Sequence, residues 1–306
     1  MKHIPPQQLH PSSQEDEKTI HVSVLLEDSL ALLAPKQGDT YLDLTAGYGG
    51  HARHIIDVIS ADKATLVDRD QQSIDHLKQF EDQGARLEKS DFATYAELAA
   101  ARNEQYDMVL VDLGVSSPQL DRAERGFSIQ RDGPLDMRMD ASASVTAAEI
   151  VNRSSEKDLT RIIETYGEER RSQAQKIAHA IRLNRPLHTT SALAAVVLST
   201  HRGPRQKVHP ATRTFQAIRI AVNKELEQIE RLLVVLPQLV RPGGRVVIIS
   251  FHSLEDKLVK NYLTEQARAG YEAEFKLLTK KPIRGAINDA HNPRARSAIL
   301  RAAVKT

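Results

Sequence analysis

Short apolar runs alternate with helix-like segments in the first part of the chain, and this alternation restricts the fold more than any other feature. The apolar runs are residues 40–44, 64–68, 85–89 and 106–112. Helix-like segments lie between them, at 50–60, 71–80 and 95–102. Strands that alternate with helices form βαβ units with right-handed crossovers and a parallel sheet. The sequence therefore predicts an α/β fold.

The alternation stops after the fourth run. Several helical segments then follow one another, with turn signals between them and without a convincing strand. A long helix is predicted over 214–236, and a fifth apolar run follows at 244–250. The predicted division is a flexible polar tail at 1–20, a discontinuous α/β domain at 21–119 and 214–306, and a helical insertion at 120–213.

The composition excludes several classes of protein. The 306 residues include no cysteine, which excludes disulfides, thiolate nucleophiles and cysteine-ligated zinc. No apolar run reaches the roughly 18 residues that a membrane span needs, and the N-terminus lacks the apolar region of a secretory signal. The histidines are scattered and the acids alternate with other residues, so no metal site is predicted. These features favour a cytoplasmic protein without a membrane partner.

Two segments concentrate positive charge although the formal net charge is only +2. Residues 201–219 hold five Lys and Arg residues and no acid. Residues 276–306 hold eight Lys and Arg residues and one acid, Asp289. Such clusters are either solvated surface or a face that contacts phosphates, and both interpretations stay open at this point.

A glycine-rich loop connects the first predicted strand to the next helix. In "DLTAGYGGHA", Gly47, Gly49 and Gly50 allow the backbone to approach a ligand closely, and the helix that follows presents free N–H groups. The loop is neither a P-loop nor a G-x-G-x-x-G turn, because His51 and Ala52 follow the glycines. The loop predicts a nucleotide-type site whose ligand needs no pyrophosphate, and tight packing is the alternative.

Acidic residues stand where the next two predicted strands end. Asp68 is placed to accept hydrogen bonds from ribose hydroxyls, unless it caps the next helix, a role that Asp70 could fill instead. At the third strand, Asp91 and Phe92 could bind the amine and the ring of an adenine. The alternative is a capping aspartate and a core phenylalanine. Together with the glycine loop, these strand ends favour a Rossmann-like adenosine site.

Five further segments carry a family resemblance, and they are "DLGVSSPQLDRAERGFSIQRDGPLDMRMD", "TYGEER", "HPATRTFQAIRIAVNKEL", "ISFHSLEDKLVK" and "NPRARSAILR". From His21 onward the chain resembles the bacterial ribosomal RNA small subunit methyltransferase H family. The resemblance implies a Rossmann-like S-adenosylmethionine-dependent methyltransferase sheet with an inserted helical substrate-recognition domain. It also implies methyl transfer to N4 of a cytidine in the decoding region of 16S rRNA.

The resemblance implies particular contacts and partners. The implied cofactor-binding residues are Gly49, Gly50, His51, Asp68, Phe92, Asp112 and Gln119. The implied partner is 16S rRNA, free or within the assembled small ribosomal subunit, and a homodimer stays open as the oligomeric state. The loop "AGYGGHA" departs from the usual family pattern at Ala46, Tyr48 and Ala52, so the role of Tyr48 is open.

The chemistry of such a transfer predicts catalytic residues. The sulfonium of S-adenosylmethionine is already activated, so the protein must supply alignment of an in-line displacement. The exocyclic amine of cytosine is a poor nucleophile, and acceptors for its N–H hydrogens assist it. Asp112 and the backbone of Ser117–Pro118, at the end of the fourth strand, are the predicted neighbours of this amine. A simple turn is the alternative for the Ser-Ser-Pro segment.

Two further positions and two rival functions remain. His252 lines the pocket or belongs to a helix-capping region with Ser253 and Asp256. Arg213, within the basic segment 201–219, is placed to hold RNA where the insertion rejoins the core. The rival functions are a nicotinamide-dependent oxidoreductase, which the glycine spacing disfavours, and an RNA-binding assembly factor without catalytic activity.

Overall fold

The computed structural model describes residues 23–201 and 208–306. Its strands are β1 Tyr41–Asp43, β2 Ala64–Asp68, β3 Arg86–Lys89, β4 Tyr106–Asp112, β5 Val240–Ser250, β6 Phe275–Leu277, β7 Ile283–Arg284 and β8 Ile299–Lys305. The described residues form one sheet in the order β3-β2-β1-β4-β5-β8-β6, with β7 paired to β8. Strands β1 to β5 are parallel, which confirms the predicted α/β class, and β8 is antiparallel to its neighbours.

The helices connect the parallel strands and then form a separate group. They are α1 Leu26–Leu33, α2 Gly50–Ile59, α3 Gln71–Glu81, α4 Phe92–Ala101, α5 Ser117–Asp121, α6 Ala147–Arg153, α7 Glu156–Gly167, α8 Arg171–Leu183, α9 Thr190–Ser199, α10 Thr212–Asn223, α11 Glu225–Leu239, α12 Ser253–Arg268 and α13 Gly285–Asn288. Helices α2, α3 and α4 join the first four strands as predicted. No helix in the described ranges is long and apolar enough to cross a membrane.

Each face of the sheet has its own hydrophobic core. Along β4, Met108 and Leu110 belong to one cluster, whereas Val109 and Val111 belong to the other, because side chains alternate across a strand. Helices α2 and α3 cover the first face, and α4, α11 and α12 cover the second. Cover on both faces explains why the strands read as continuous apolar runs. The parallel arrangement brings the carboxyl ends of β1, β2 and β4 to one edge.

A third hydrophobic cluster lies apart from the sheet. It contains residues between Phe127 and Ile218 and is built from α6 to α10. The only pairing of strand type among the described residues of 120–213 is an isolated bridge between Pro134 and Thr189, which agrees with the predicted helical segment. The predicted division into domains stays a prediction, but the packing places α10 with the helices that precede it.

One predicted helix differs from the structure, and one long strand was not predicted. The single helix predicted over 214–236 is wrong: α10 ends at Asn223, and Lys224, with a φ of 53° in the left-handed region, turns the chain into α11. Strand β8 was not predicted, because Arg301 and Lys305 interrupt its apolar residues. Arg301 is compatible with a strand because its guanidinium pairs with Asp256 on α12, at 2.7 Å.

Candidate active site at the carboxyl edge of the sheet

The glycine loop between β1 and α2 leaves open space at one position. Gly47 has a φ of 54°, and a Cβ added there would meet only the Thr45 carbonyl oxygen, at 3.9 Å. The Gly47 N–H donates to Asp68 Oδ2 at 2.8 Å, which ties the loop to the end of β2. Helix α2 begins at Gly50 with no side-chain cap and no acid in its first turn, so its first N–H groups suit a ligand.

The other two glycines of the loop are close-packed against the protein itself. A Cβ at Gly49, whose φ is 77°, would lie 2.5 Å from Phe80 Cε2, and a Cβ at Gly50 would collide with Ser23 Oγ. The packing alternative therefore explains why these two positions lack a side chain. Their predicted cofactor contacts stay predictions. Gly47, which is not among the cofactor-binding residues that the resemblance implies, is the loop glycine beside open space.

Tyr48, whose role the sequence left open, packs against α3. Its ring centroid lies 4.9 Å from that of His76, with an angle of 45° between the rings. Burial raises the pKa of Tyr48. The residue that departs from the usual family pattern thus joins the glycine loop to the helix after β2.

Asp68 does not cap the helix that follows it. Asp70 fills that role, since its Oδ1 accepts from the Gln72 N–H at 3.1 Å. Asp68 instead accepts one backbone hydrogen on each oxygen, from Gly47 and from the Asp70 N–H at 2.7 Å. Each carboxylate oxygen has two acceptor positions, so Asp68 keeps acceptor capacity for ribose hydroxyls. Burial raises the pKa of Asp68 to about 6.

At the third strand end, the capping alternative describes Asp91. Its Oδ1 accepts from the Thr94 N–H at 2.9 Å, at the start of α4. Phe92 is half-buried at the first position of that helix and packs against the core on the second face of the sheet. The carboxylate of Asp91 thus has a structural role, and the predicted contact of Phe92 with a cofactor stays a prediction.

Asp112 ends β4 with a buried oxygen that lacks a partner. Within the described part of the chain, its Oδ1 accepts no hydrogen bond, and its Oδ2 lies 3.9 Å from His51 Nδ1. His51 Nε2 is 3.1 Å from the Val24 carbonyl oxygen, which can only accept, so this nitrogen carries a hydrogen. Burial raises the pKa of Asp112 well above its usual value, and the carboxylates of Asp43 and Glu255 raise it further.

Asp43, at the end of β1, is a site residue that the sequence analysis missed. It is buried, with Oδ2 accepting from the Tyr41 hydroxyl at 2.7 Å and Oδ1 from the Thr45 N–H at 3.1 Å. Burial raises the pKa of Asp43 to about 7. Asp43 could have been identified as a site residue from the sequence, because it is an acid at a strand end directly before the glycine loop.

The Ser-Ser-Pro segment begins helix α5, with Ser117 and Pro118 as its first residues and Ser117 buried. Gln119 is also buried and is held at both ends of its amide. Its Oε1 accepts from the Ser116 N–H at 3.0 Å, and its Nε2 donates to Asp70 Oδ2 at 2.9 Å. The predicted roles of these three residues stay predictions, and Gln119 connects α5 to the start of α3.

Arg125 extends this connection to the segment that follows α5. Its Nη1 lies 2.6 Å from Asp70 Oδ2, and its Nη2 donates to the carbonyl oxygens of Arg138 and Met139. The Met139 N–H in turn donates to Asn223 Oδ1 at 2.9 Å, at the end of α10. Buried polar groups thus link the end of β2 to the helical group.

His252 follows β5 and belongs to the capping region that was named as its alternative. Its Nδ1 accepts from the Glu255 N–H, while Glu255 Oε2 accepts from the N–H groups of Phe251 and His252. The caps are therefore His252 and Glu255, rather than the predicted Ser253 and Asp256. Burial alone would raise the pKa of Glu255, but His252, Arg219 and the Phe251 N–H hold it below its usual value.

His252 and Glu255, together with Glu225, form a group among the described residues whose spacing could suit a metal ion. Ligand atoms of Glu225, His252 and Glu255 lie within 4.8 Å of one another. Arg219 already supplies a cation there, because it contacts Glu225 at 2.8 and 2.7 Å and lies 4.0 Å from Glu255. We interpret the group as a buried ion network that fixes α10, α11 and α12 at the end of β5.

Arg213 lies at the start of α10, beside a cavity of about 550 Å³. Its Nη1 is 3.8 Å from Glu169 Oε2, and His201, Gln173 and His209 also line the cavity. The other cations of the predicted RNA-holding segment before it, at positions 202, 205 and 207, lie outside the described residues. The contribution of this segment to RNA binding stays a prediction.

Comparison with known proteins identifies the family. The MraW methylase family matches residues 18–306. This chain belongs to that family. It is 44% identical to a ribosomal RNA small subunit methyltransferase H of Bradyrhizobium diazoefficiens, over 94% of this chain and 92% of the relative. It is 45% identical to the protein of that name from Cyanothece sp., over 96% and 97% of the two chains.

One solved structure of similar length is a much more distant match. An rRNA methylase from Streptococcus thermophilus is 11% identical, with a TM-score of 0.39, and the match covers 91% of this chain and 94% of that one. The family membership confirms the Rossmann-like methyltransferase fold class and S-adenosylmethionine as the cofactor. Membership of a methylase family also excludes the alternative of a nicotinamide-dependent oxidoreductase.

The residues at the carboxyl edge fit this cofactor. A Cβ added at Gly47 would meet only one backbone oxygen, so the space beside Gly47 is open. The first turn of α2 has no side-chain cap. Asp68 retains acceptor capacity, and Asp112 Oδ1 is buried without a partner among the described residues. An adenosine with a positively charged sulfonium needs backbone donors, ribose acceptors and nearby carboxylates, and these positions supply all three.

The raised pKa of Asp43 predicts a pH-dependent stability of the cofactor-free protein. Its pKa in the folded protein, about 7, exceeds the ordinary value of 3.8, so the protonated carboxyl favours the fold. That contribution is complete below the ordinary pKa, decreases as the pH rises, and is lost once the pH has passed 7. The unfolding free energy of Asp43→Asn minus that of wild type should therefore increase by roughly 2 to 3 kcal/mol from pH 5 to pH 8. Urea denaturation at both pH values measures the change.

The exposed carboxylate of Asp75 on α3 offers the matched control. Asp75→Asn should show the same small difference from wild type at both pH values. An Asp43→Asn difference that does not change with pH would contradict the assignment of the titrating group.

Proposed function

We propose that this methylase transfers the methyl group of S-adenosylmethionine to N4 of a cytidine in the decoding region of 16S rRNA. The observation that carries the proposal is the buried, unpartnered Oδ1 of Asp112, at the end of β4 and next to the glycine loop. The base and its position in the RNA come from the family resemblance. The relatives that carry the name ribosomal RNA small subunit methyltransferase H support the class of substrate.

The chain offers a distinct set of contacts for the cofactor. Asp68 would accept the ribose hydroxyls, and Gly47 with the first N–H groups of α2 would lie against the ligand. Phe92 would pack against the adenine. When bound, S-adenosylmethionine supplies a methyl group that its sulfonium has already activated. The protein contributes orientation of the acceptor, since methyl transfer is an in-line displacement.

Asp112 is proposed to act on the amine of the cytidine. The N4 lone pair is conjugated with the ring, and it becomes available when an acceptor binds an N–H hydrogen and N4 turns tetrahedral. Asp112 Oδ1 is such an acceptor, and its raised pKa makes it a suitable recipient for the proton that the methylated amine releases. The N-terminal turn of α5, with Ser117 and Pro118, would border the base.

The RNA must present the target nucleotide outside a duplex. A Watson–Crick paired cytosine uses N4 as a donor, so the base has to be unpaired or extruded. RNA recognition should then depend on the shape around the target more than on a short sequence. We propose the helical group α6 to α10 as the substrate-recognition part and the cytoplasm as the location, with free 16S rRNA or the assembled small subunit as partner.

The decisive experiment identifies the methylated nucleoside. Small ribosomal subunits that lack the modification, and naked 16S rRNA, are incubated with labelled S-adenosylmethionine, and the RNA is digested for mass spectrometry. We expect N4-methylcytidine. A methyl on C5, on the 2′-hydroxyl or on protein refutes the proposal, and the absence of transfer to both substrates favours the RNA-binding factor without catalytic activity.

Asp68→Ala should weaken the binding of S-adenosylmethionine by about 1 to 3 kcal/mol, because ribose hydroxyls lose a buried acceptor. Protonation places a hydrogen on one oxygen and removes the negative charge that strengthens the acceptor, so wild-type affinity should fall as the pH drops through about 6. Asp68→Asn should lack this pH dependence. Titration calorimetry measures both effects, with Asp75→Ala on the exposed side of α3 as the control. Wild-type affinity in Asp68→Ala would exclude the ribose contact.

Asp112→Asn should lower kcat by about 100-fold or more, since it removes the proton acceptor of the amine. The wild-type rate should rise with pH because burial raises the pKa of Asp112 and the deprotonated form is the active one. The variant should lose that rise. Single-turnover methylation over a pH series measures both, alongside cofactor affinity. A variant that loses cofactor binding and keeps its single-turnover rate at saturation would make Asp112 a cofactor ligand only.

A further inference from the structure

A cleft of about 360 Å³ lies between α12 and the antiparallel part of the sheet. Lys260 and Thr264 line it from α12, Arg301 from β8, Arg284 from β7, and Thr279 and Lys280 from the connection between β6 and β7. Several of these cations belong to the basic segment 276–306, whose sequence fits either solvated surface or a phosphate-contacting face. The structure now shows that part of this charge faces a cleft together with a lysine from α12.

The cleft carries an uncompensated positive charge. Its one acid, Asp256, is already paired with Arg301, whose Nε and Nη2 lie 2.7 and 3.1 Å from the two carboxylate oxygens. In the part of the chain that the structure describes, Lys260, Lys280 and Arg284 form no ion pair. All three are exposed. Three free cations and two threonine hydroxyls in a concave surface are donors for an anion.

The upper end of the cleft lies at the edge that holds the candidate active site. Arg284 pairs with Ile299 on β8, and Ile299 pairs with Ser250, the last residue of β5. His252 and the start of α12 follow directly. The lower end lies near Leu277, which pairs with Ala303. The cleft therefore runs along five residues of β8, from Ile299 to Ala303, and the four steps between them span about 13 Å at ~3.3 Å per residue.

We propose that this cleft binds backbone phosphates of the RNA strand next to the methylated nucleotide, an inference that rests on the proposed function. Lys and Arg are the residues that contact phosphates, and such contacts fix the register of a nucleic acid without reading its sequence. An acidic protein partner is the less suitable occupant, because the cleft lacks the buried aromatic residues that anchor most protein interfaces.

The test compares two triple variants of the full chain that remove the same charge. The cleft variant is Lys260→Ala, Lys280→Ala and Arg284→Ala. The control variant is Lys257→Ala, Lys281→Ala and Arg296→Ala, whose residues are exposed on the same part of the chain but do not line the cleft. Arg301 is kept in both variants because Asp256 depends on it. Thermal denaturation verifies that both variants fold like wild type.

Binding of a labelled 16S rRNA fragment with the decoding region is measured by fluorescence anisotropy at several KCl concentrations. Each phosphate contact to single-stranded RNA contributes about 0.7 to the slope of log affinity against log salt, so the cleft variant should lose about 2 from that slope. Its KM for RNA should rise about tenfold or more, with kcat and cofactor affinity unchanged. The control variant should keep the slope to within the effect of one contact.

Equal losses in both variants, or no loss in the cleft variant, would overturn the inference. These outcomes are distinct from a failure of the proposed function. If wild type does not form N4-methylcytidine but the cleft variant alone loses salt-dependent RNA binding, the cleft is a phosphate site and the reaction is wrong. If wild type forms N4-methylcytidine and the cleft variant binds RNA like wild type, the reaction stands and the cleft does not hold the RNA.

Discussion

The carboxylate of Asp70 is the contact on which the geometry of the site depends. This carboxylate caps α3, accepts from Gln119 on α5 and pairs with Arg125. The backbone N–H of the same residue donates to Asp68. Since both members of the Asp70–Arg125 pair are nearly buried, each would be costly without the other. One acid thus connects the proposed ribose-binding residue, Asp68, to the chain that leads into the helical group. The Asp70 side chain therefore positions both the end of β2 and the segment that leads to the helical group.

The electrostatics of the carboxyl edge divide into two parts. Asp43, Asp68 and Asp112 lie at three neighbouring strand ends, and burial raises the pKa of each. A few residues further, Glu255 keeps a lowered pKa because His252 and Arg219 compensate it. In the first group burial outweighs the nearby Arg69 and His51, and the pKa values stay raised. A positively charged ligand would relieve the repulsion among these carboxylates. A sulfonium cofactor provides that charge, whereas the ion network at Glu255 serves the packing of the helices.

Features that depend on local chemistry could be predicted from the sequence, and features that depend on distant partners could not. The apolar runs predicted the parallel strands, and the acids that end those runs lie at one edge of the sheet, as their positions at strand ends indicated. The burial of Gly49 depends on Phe80, which lies on α3, 31 residues further along the chain, so the sequence of the loop alone does not indicate it. Likewise, the break at Lys224 follows from the packing of α10 on the helical group, and β8 depends on the pairing of Arg301 with α12.

The place of β8 in the sheet has a consequence for the order in which the protein folds. β8 lies between β5 and β6, although it follows both in the chain. During synthesis the five parallel strands can assemble first, but β6 and β7 have no partner until residues 299–305 have been made. A nascent chain that is shorter than this exposes the unpaired side of β5. Loss of this last strand would remove an interior element of the sheet, so a few residues late in the chain control the completion of the whole domain.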